Sequence, residues 1–385
     1  MIGIGIIGSG AVASFHVEAY LAHTDVCLIV AVCDAVKQKA ENLIQKYGLQ
    51  AVAYGSVDEL LSDKRVDAVS ICLPPGMHCC ETVKALQAQK HVLCEKPMAC
   101  SLDECDRMIV AQKKSGKILS VVSQNRYKTP VAKVKMLLEQ GLAGPIHYAS
   151  FDSLWWRGEN YYDLDWRGTW AIEGGGCFLS HSVHYLDIMH MLFGMPVRVR
   201  SSLFNVAHHN SECEDLGFAV FTFEDGMVVQ FTSSLVSHGE KQSISIQGEH
   251  ACMDIPWSTM ASIPLANGFP VEDVRKRETM EKAYASLPSL PEEGHPAQIC
   301  NFLNAIIGKG QLDIPGEEGR KTIALITGIY KSYALKQDVE FPISQDDPFY
   351  QKKTMLPLLP HFFEKKRSVS QNADIGITLG RNFGN

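Results

Sequence analysis

The sequence predicts an α/β chain: a doubly wound N-terminal domain, then a C-terminal α+β domain with a large, mainly antiparallel open sheet. Three observations predict it. The first thirty-four residues run strand, glycine turn, helix, strand, acid. Short apolar strands then alternate with helical stretches as far as residue 123. Beyond Pro130 the apolar residues instead alternate singly along longer segments, the period of half-buried antiparallel strands. A chain of 385 residues has room for both cores.

Ile2-Gly3-Ile4-Gly5-Ile6-Ile7 is apolar at nearly every position, which suits a strand covered on both faces. Gly8-Ser9-Gly10-Ala11-Val12-Ala13 follows as G-x-G-x-x-A, the helical pattern starts at Ala11, and the apolar run Cys27–Cys33 ends on Asp34. In this order the elements form a dinucleotide-binding Rossmann fingerprint. Gly8 permits the turn, Gly10 lets the backbone approach a pyrophosphate, and Ala13 lets the helix pack close. The N–H groups at the helix start face the phosphates. Asp34 accepts from the ribose hydroxyls and repels a 2′-phosphate, so NAD is expected over NADP, with Lys37 only softening the preference.

The rest of the domain follows in order. Lys37–Tyr47 reads as a helix closed by Gly48, and Ser56 with Glu59 as a helix start. The strand 66–73, through Cys72 and Leu73, stops at Pro74-Pro75, where strand ends line the ligand crevice, and His78 opens the next helix. Strand His91–Cys94 delivers Glu95-Lys96-Pro97 to the same crevice. Helix 101–116 has Ser101 and Glu104 at capping-box spacing, and the strand 118–122 leads to Gln124 and Arg126. Residues 1–123 are read as the cofactor domain. Residues 124–345 are read as the second domain, with Glu224-Asp225-Gly226 as a hairpin turn, and 346–385 as a tail packing on a neighbouring subunit.

Composition excludes several classes. A net charge of −7 gives no reason to expect nucleic acid or an anionic membrane as partner, and 46% hydrophobic with 21% charged residues is ordinary for a globular protein. No apolar run is long enough to span a bilayer, and the N-terminus lacks the basic start of a signal peptide, so a cytoplasmic location is expected. The twelve cysteines form no C-x-x-C, and those in apolar strands read as small hydrophobes. His208, His209 and Cys213 match no standard zinc spacing, and no metal is expected.

Together these segments resemble the Gfo/Idh/MocA family of oxidoreductases. The likeness rests on the glycine turn, Asp34, Pro74 to His78 and Glu95-Lys96-Pro97. In the second half it rests on 165–170, on Gly174-Gly175-Gly176 through His184 and Asp187, and on the segments 294–298 and 316–320. It covers about residues 1–345. The resemblance implies NAD(P)-dependent oxidation or reduction of a secondary alcohol on a sugar or cyclitol, with Lys96 at both nicotinamide and hydroxyl and His184 as acid/base. Cofactor contacts are expected at Gly8, Ser9, Gly10, Ala11, Val12, Asp34, Cys72, Leu73, Pro74, Pro75, His78, Glu95, Lys96 and Gln124. Where many members carry an aspartate four residues before the histidine, this chain has Ser180 followed by His181, so either His184 works with Lys96 alone or His181 takes part.

Trp155-Trp156-Arg157, Tyr161-Tyr162 and Trp166 to Trp170 lie close in sequence, as a wall that stacks on a sugar would. Arg126, Tyr161, Trp166, Arg167, Ser180 and His181 are the substrate candidates, and a glucoside C3 hydroxyl is the first expectation. The alternatives are an NAD-dependent redox-neutral glycosidase and a non-catalytic sugar or nucleotide sensor. A homo-oligomer is expected, because sheets of this kind often pair face to face.

Overall fold

The computed structural model describes residues 1–369. The first sheet contains β1 (Ile2–Ile7), β2 (Cys27–Cys33), β3 (Val52–Tyr54), β4 (Ala68–Ile71), β5 (His91–Cys94) and β6 (Leu119–Val121). Its strands are all parallel, in the order β3-β2-β1-β4-β5-β6. The order reverses between β1 and β4, and a ligand crevice opens at such a switch point. Between the strands run α1 (Ala11–Leu21), α2 (Lys37–Tyr47), α3 (Val57–Ser62), α4 (Pro75–Gln87) and α5 (Leu102–Ser115), and α6 (Thr129–Glu139) leads into the second domain.

Local chemistry accounts for most boundaries. Gly48 closes α2 in the left-handed conformation, and Ser56 Oγ accepts from the Glu59 amide to start α3. The capping box expected at Ser101 is not formed. Glu104 reaches back to the Cys100 amide at 3.0 Å, while Ser101 Oγ bonds Asp103. Helix α4 begins at Pro75 rather than His78, because proline at the first turn lacks only an N–H that would be unpaired anyway.

The second sheet is formed by β7 (Ile146–Leu154), β8 (Arg198–Phe204), β9 (Leu216–Thr222), β10 (Val228–Ser234), β11 (Gln242–Gly248) and β12 (Cys252–Ile255). The edge beside β8 is extended by a short strand at Val339–Glu340, giving seven strands. Pairing is antiparallel except between β10 and β7, so the sheet is mixed and mostly antiparallel. Gly226 turns β9 into β10 with φ +88°. Alternate residues such as Val199, Phe221, Phe231 and Phe151 are fully buried, while Phe218 and Val220 face outward.

Residues 294–306, read from sequence with the second domain, pack on the first. The helix Gly294–Ile306 sets Ile299, Phe302 and Leu303 into the cluster that holds Ile4, Ala13 and Val17. The extended tail is also corrected. Residues 346–369 fold onto their own chain, burying Phe349, Tyr350, Met355 and Leu359, while 370–385 lie outside the described residues. Among the described residues, no helix is long and apolar enough to cross a membrane. All twelve cysteines are free thiols.

Candidate active site

The site is built at the carboxyl ends of β1, β4 and β5. Gly8 has φ +93°, and a Cβ there would lie 2.4 Å from the Cys72 carbonyl oxygen, so this turn admits only glycine. A Cβ on Gly10, by contrast, would meet nothing within 4 Å. That open space at the start of α1 is where a pyrophosphate needs room. Asp34 accepts from the Ser9 and Val36 amides, each at 2.9 Å, which places its carboxylate beside the glycine turn. Ser9 Oγ and Gln124 Oε1 are buried without a partner. These orphaned polar atoms and the open approach at Gly10 fit a dinucleotide. Ala11 and Val12 form the first turn of α1, and Cys72, Leu73, Pro74 and Pro75 line the end of β4.

His78 behaves differently from its cofactor expectation. Its Nδ1 lies 2.7 Å from the Pro97 carbonyl oxygen and its Nε2 2.7 Å from that of Leu73. Both ring nitrogens face inward, and burial lowers the pKa. His78 joins the β4 exit to the β5 exit and shapes the crevice without reaching into it.

Glu95 and Lys96 end β5 in opposite directions. Glu95 is buried against His16 of α1, Nε2 to Oε1 2.8 Å, and its other oxygen accepts from the Lys96 amide at 3.1 Å. His16 also meets Ser70 Oγ at 3.1 Å, and Ser70 meets Tyr20 at 2.8 Å. Burial works against both charges. Even so, Cys72 and Glu95 lift the pKa of His16, and hydrogen bonds from His16 and His295 hold Glu95 well below the carboxylate range. His16, Glu95 and His295 could together hold a metal ion, but a buried ion pair already satisfies them. Sequence reading missed His16 and His295 because their link to Glu95 spans 79 and 200 residues of chain, as the numbering shows.

Lys96 points the other way, and its Nζ donates to the Ser180 carbonyl oxygen at 3.1 Å. Burial lowers its pKa, the Glu95 charge opposes this and the Arg167 charge adds to it. A helical turn at Cys177–Ser180, here α7, ends at His181, and α8 (Val183–Phe193) carries His184. Gly176 starts this segment because a Cβ would lie 1.9 Å from the Glu214 carbonyl oxygen. The Ser180 hydroxyl donates to Gly176 O at 2.7 Å and lies 2.8 Å from His181 Nδ1. With its proton committed, Ser180 accepts from Nδ1–H and leaves His181 Nε2 as an acceptor. Burial, then the Arg157, Lys96 and Arg167 charges, hold His181 well below the usual histidine range. Burial and the Lys96 charge push His184 down to about 3. Both rings are therefore neutral bases at ordinary pH.

The aromatic segment divides. Tyr161 and Trp155 approach His181 at ring-centroid distances of 5.8 and 5.5 Å. The Arg167 guanidinium stacks 4.0 Å from the Tyr161 ring centroid and 4.2 Å from that of Trp166, and its Nη1 donates to Glu173 at 2.9 Å. Arg157 sits 5.7 Å from the same Tyr161 ring and pairs with Glu240. Glu173 is an addition to the residues read from the sequence, and Arg157, read there as part of the aromatic cluster, joins the site. Trp170 and Tyr162 are core, at 2% and 1% exposure, and Trp156 stacks on His238 at the surface. Arg126 is committed elsewhere, with Nε and Nη2 on Asp187 at 2.7 and 2.8 Å and Nη2 on Glu318 at 3.0 Å. It clamps α8 instead of standing free for a substrate.

Comparison with known proteins agrees with this architecture. Residues 2–123 match the family described as "Oxidoreductase family, NAD-binding Rossmann fold", and residues 131–254 match the "GFO/IDH/MocA C-terminal domain". A D-glucoside 3-dehydrogenase of Escherichia coli is 25% identical over 86% of this chain and 94% of its own. A myo-inositol 2-dehydrogenase of Thermotoga maritima is 31% identical over 50% of this chain and 55% of its own. Among solved structures, the WlbA dehydrogenase of Bordetella pertussis in complex with NADH and UDP-GlcNAcA superposes with a TM-score of 0.76. It is 27% identical, covering 89% of this chain and 99% of that one.

Proposed function

The chain belongs to the Gfo/Idh/MocA oxidoreductase family, and from that premise we propose that it oxidises, reversibly, a secondary ring hydroxyl of a glycoside, at C3 of a glucoside. It is an NAD-binding oxidoreductase of the sugar and cyclitol type. The observation that carries the finer reading is the meeting of Lys96 Nζ with the His181–His184 segment, through Ser180, beside an aromatic and arginine wall.

In this reading Gly8 to Val12, Asp34 and Gln124 hold NAD, which supplies the hydride acceptor for the carbinol carbon. Neutral His184 takes the hydroxyl proton, and the Lys96 ammonium stabilises the alkoxide that develops. His181 Nε2 accepts from a neighbouring hydroxyl and so fixes which ring carbon is presented. Tyr161 and Trp166 receive the apolar face of the ring, and Arg167 donates to its hydroxyls. The D-glucoside 3-dehydrogenase of Escherichia coli, matched over 94% of its length, supports the choice of C3. The reading has the enzyme acting in the cytoplasm as a homo-oligomer, paired through the outer face of its second sheet.

The test is NADH absorbance with purified protein, NAD and a panel of glucosides, free sugars, uronic acids and inositols. A rise with glucosides and a 3-keto product supports the reading. Oxidation confined to inositols overturns it, and release of aglycone without net NADH replaces it with a redox-neutral glycosidase.

A further inference from the structure

The C-terminal segment crosses from the cofactor domain to the substrate wall. At its start, the Tyr350 carbonyl accepts from the Asp103 amide at 3.2 Å, and the Lys352 amide donates to Asp103 Oδ1 at 3.2 Å. Asp103 lies in the first turn of α5. Further on, the Pro360 carbonyl accepts from Trp170 Nε1 at 2.7 Å, and the Phe362 amide donates to Glu212 O at 3.1 Å. Asn210 Oδ1 accepts from the amides of Lys366 and Arg367 at 2.7 and 2.9 Å. Val369 then pairs with the wall itself, donating to Asp163 O at 2.7 Å and accepting from the Asp165 amide at 3.1 Å.

Lys365 stands at the centre of this seam. Its Nζ donates to the Tyr162 carbonyl and, at 3.0 Å, to the Arg167 carbonyl. Those two carbonyls flank the loop from Asp163 to Trp166, which otherwise has few internal backbone bonds. They belong to the residue next to Tyr161 and to Arg167 itself, so one ammonium fixes the spacing of the two groups that stack at 4.0 Å. Burial lowers the pKa of this ammonium, and the charges of Glu173, Asp163, Asp165 and Glu212 oppose that.

We propose that residues 359–369 are a strap that positions the sugar wall, with Lys365 as the positioning residue that sets the Tyr161–Arg167 pair for substrate. This rests on the reading of Tyr161, Trp166 and Arg167 as substrate contacts. A wall held from behind binds sugar in the ground state and transition state alike, so its loosening raises KM while leaving kcat almost unchanged.

The experiment compares Lys365→Met, Lys365→Arg and Val369→Pro with the wild-type chain, by steady-state kinetics, NAD binding and amide hydrogen exchange over 161–170. The expected result for Lys365→Met is a KM for the sugar about tenfold higher, with kcat and the Kd for NAD within twofold, and faster exchange across 161–170. Lys365→Arg should restore both. A folded Lys365→Met with wild-type KM and exchange overturns the proposal. So does a raised KM with unchanged exchange, which would make Lys365 a direct ligand. If Lys365→Met does not fold, Val369→Pro, at an exposed position, takes its place: a raised KM with faster exchange supports the strap, and wild-type values of either overturn it. Should the wild type oxidise no sugar, the functional reading fails, and the exchange rates still decide whether the strap holds the wall.

Discussion

Lys96 and His184 differ in what burial does to them, and the proposed chemistry uses the difference. An imidazole driven down to about 3 is unprotonated throughout the physiological range, whereas burial moves Lys96 below the ordinary lysine value and the Glu95 charge opposes that. Lys96→Met and His184→Asn should each lower kcat by about 10²–10⁴-fold while the Kd for NAD, measured by calorimetry, stays within a few-fold. The sign of the pH dependence follows. Proton uptake by His184 begins only near pH 3, so kcat/KM should show no acid limb from it between pH 5 and 8. Loss of the Lys96 proton should produce a basic limb below the ordinary lysine value, absent in Lys96→Met. An acid limb near 6.5 that disappears in His184→Asn would remove the basis of this assignment. The positions of both residues could be picked out in the sequence, Lys96 because it ends a strand and His184 through the family resemblance. The protonation states could not, since they depend first on burial and then on the Lys96 charge beside His184 and the Glu95 and Arg167 charges beside Lys96.

At the scale of elements, the tie between α1 and β5 holds the cofactor turn to the catalytic strand. His16 and Glu95 form one buried pair, extended through Ser70 to Tyr20. Removing one partner of such a pair leaves the other charge buried and uncompensated. His16→Ala should therefore destabilise the chain by about 3–5 kcal/mol in urea unfolding and weaken NAD binding, since α1 carries the phosphate-facing amides. A loss below about 1 kcal/mol would mean that Glu95 finds another partner or takes up a proton. The strands and helices of the first domain were legible because they repeat a short local grammar of apolar run, turn residue and cap. The pair was not, because nothing near His16 in sequence signals an acid 79 residues away. The packing of the tail was hidden for the same reason. Trp170, Asn210 and Asp103, its anchors, are scattered over the chain, and periodicity within 346–369 says nothing about them.

At the scale of the whole molecule, one face of the second sheet is covered and the other is not. Helix α8 and the helix Gly316–Leu335 lie on the inner side, where Ala149, Phe151, Phe221 and Phe231 are buried. The outer side carries Phe204, Phe218 and Val220 at 43%, 42% and 44% exposure, with Phe204 and Phe218 in edge contact at 6.3 Å. Register sets Val220 opposite Arg200 and Gln230, and Phe218 opposite Ser202 and Thr232. The apolar patch thus lies toward the β8–β9 side of the face, flanked by Arg200, Ser202, Gln230 and Thr232, a mixture that a subunit interface can carry. A flat sheet face is self-complementary about a two-fold axis, and a closed pair also hides an apolar patch that would otherwise invite open-ended association. Sedimentation of the wild-type chain should therefore show a dimer or a higher even-numbered assembly. Phe218→Asp with Val220→Asp should shift it to monomer at micromolar concentration, with NAD binding kept, since the cofactor crevice belongs to the other sheet. A wild-type monomer at that concentration would leave the face exposed in solution and defeat the pairing argument. If instead the double variant stayed assembled, the contact would have to lie elsewhere, with the exposed hairpin Ser262–Glu272 as the next surface to alter.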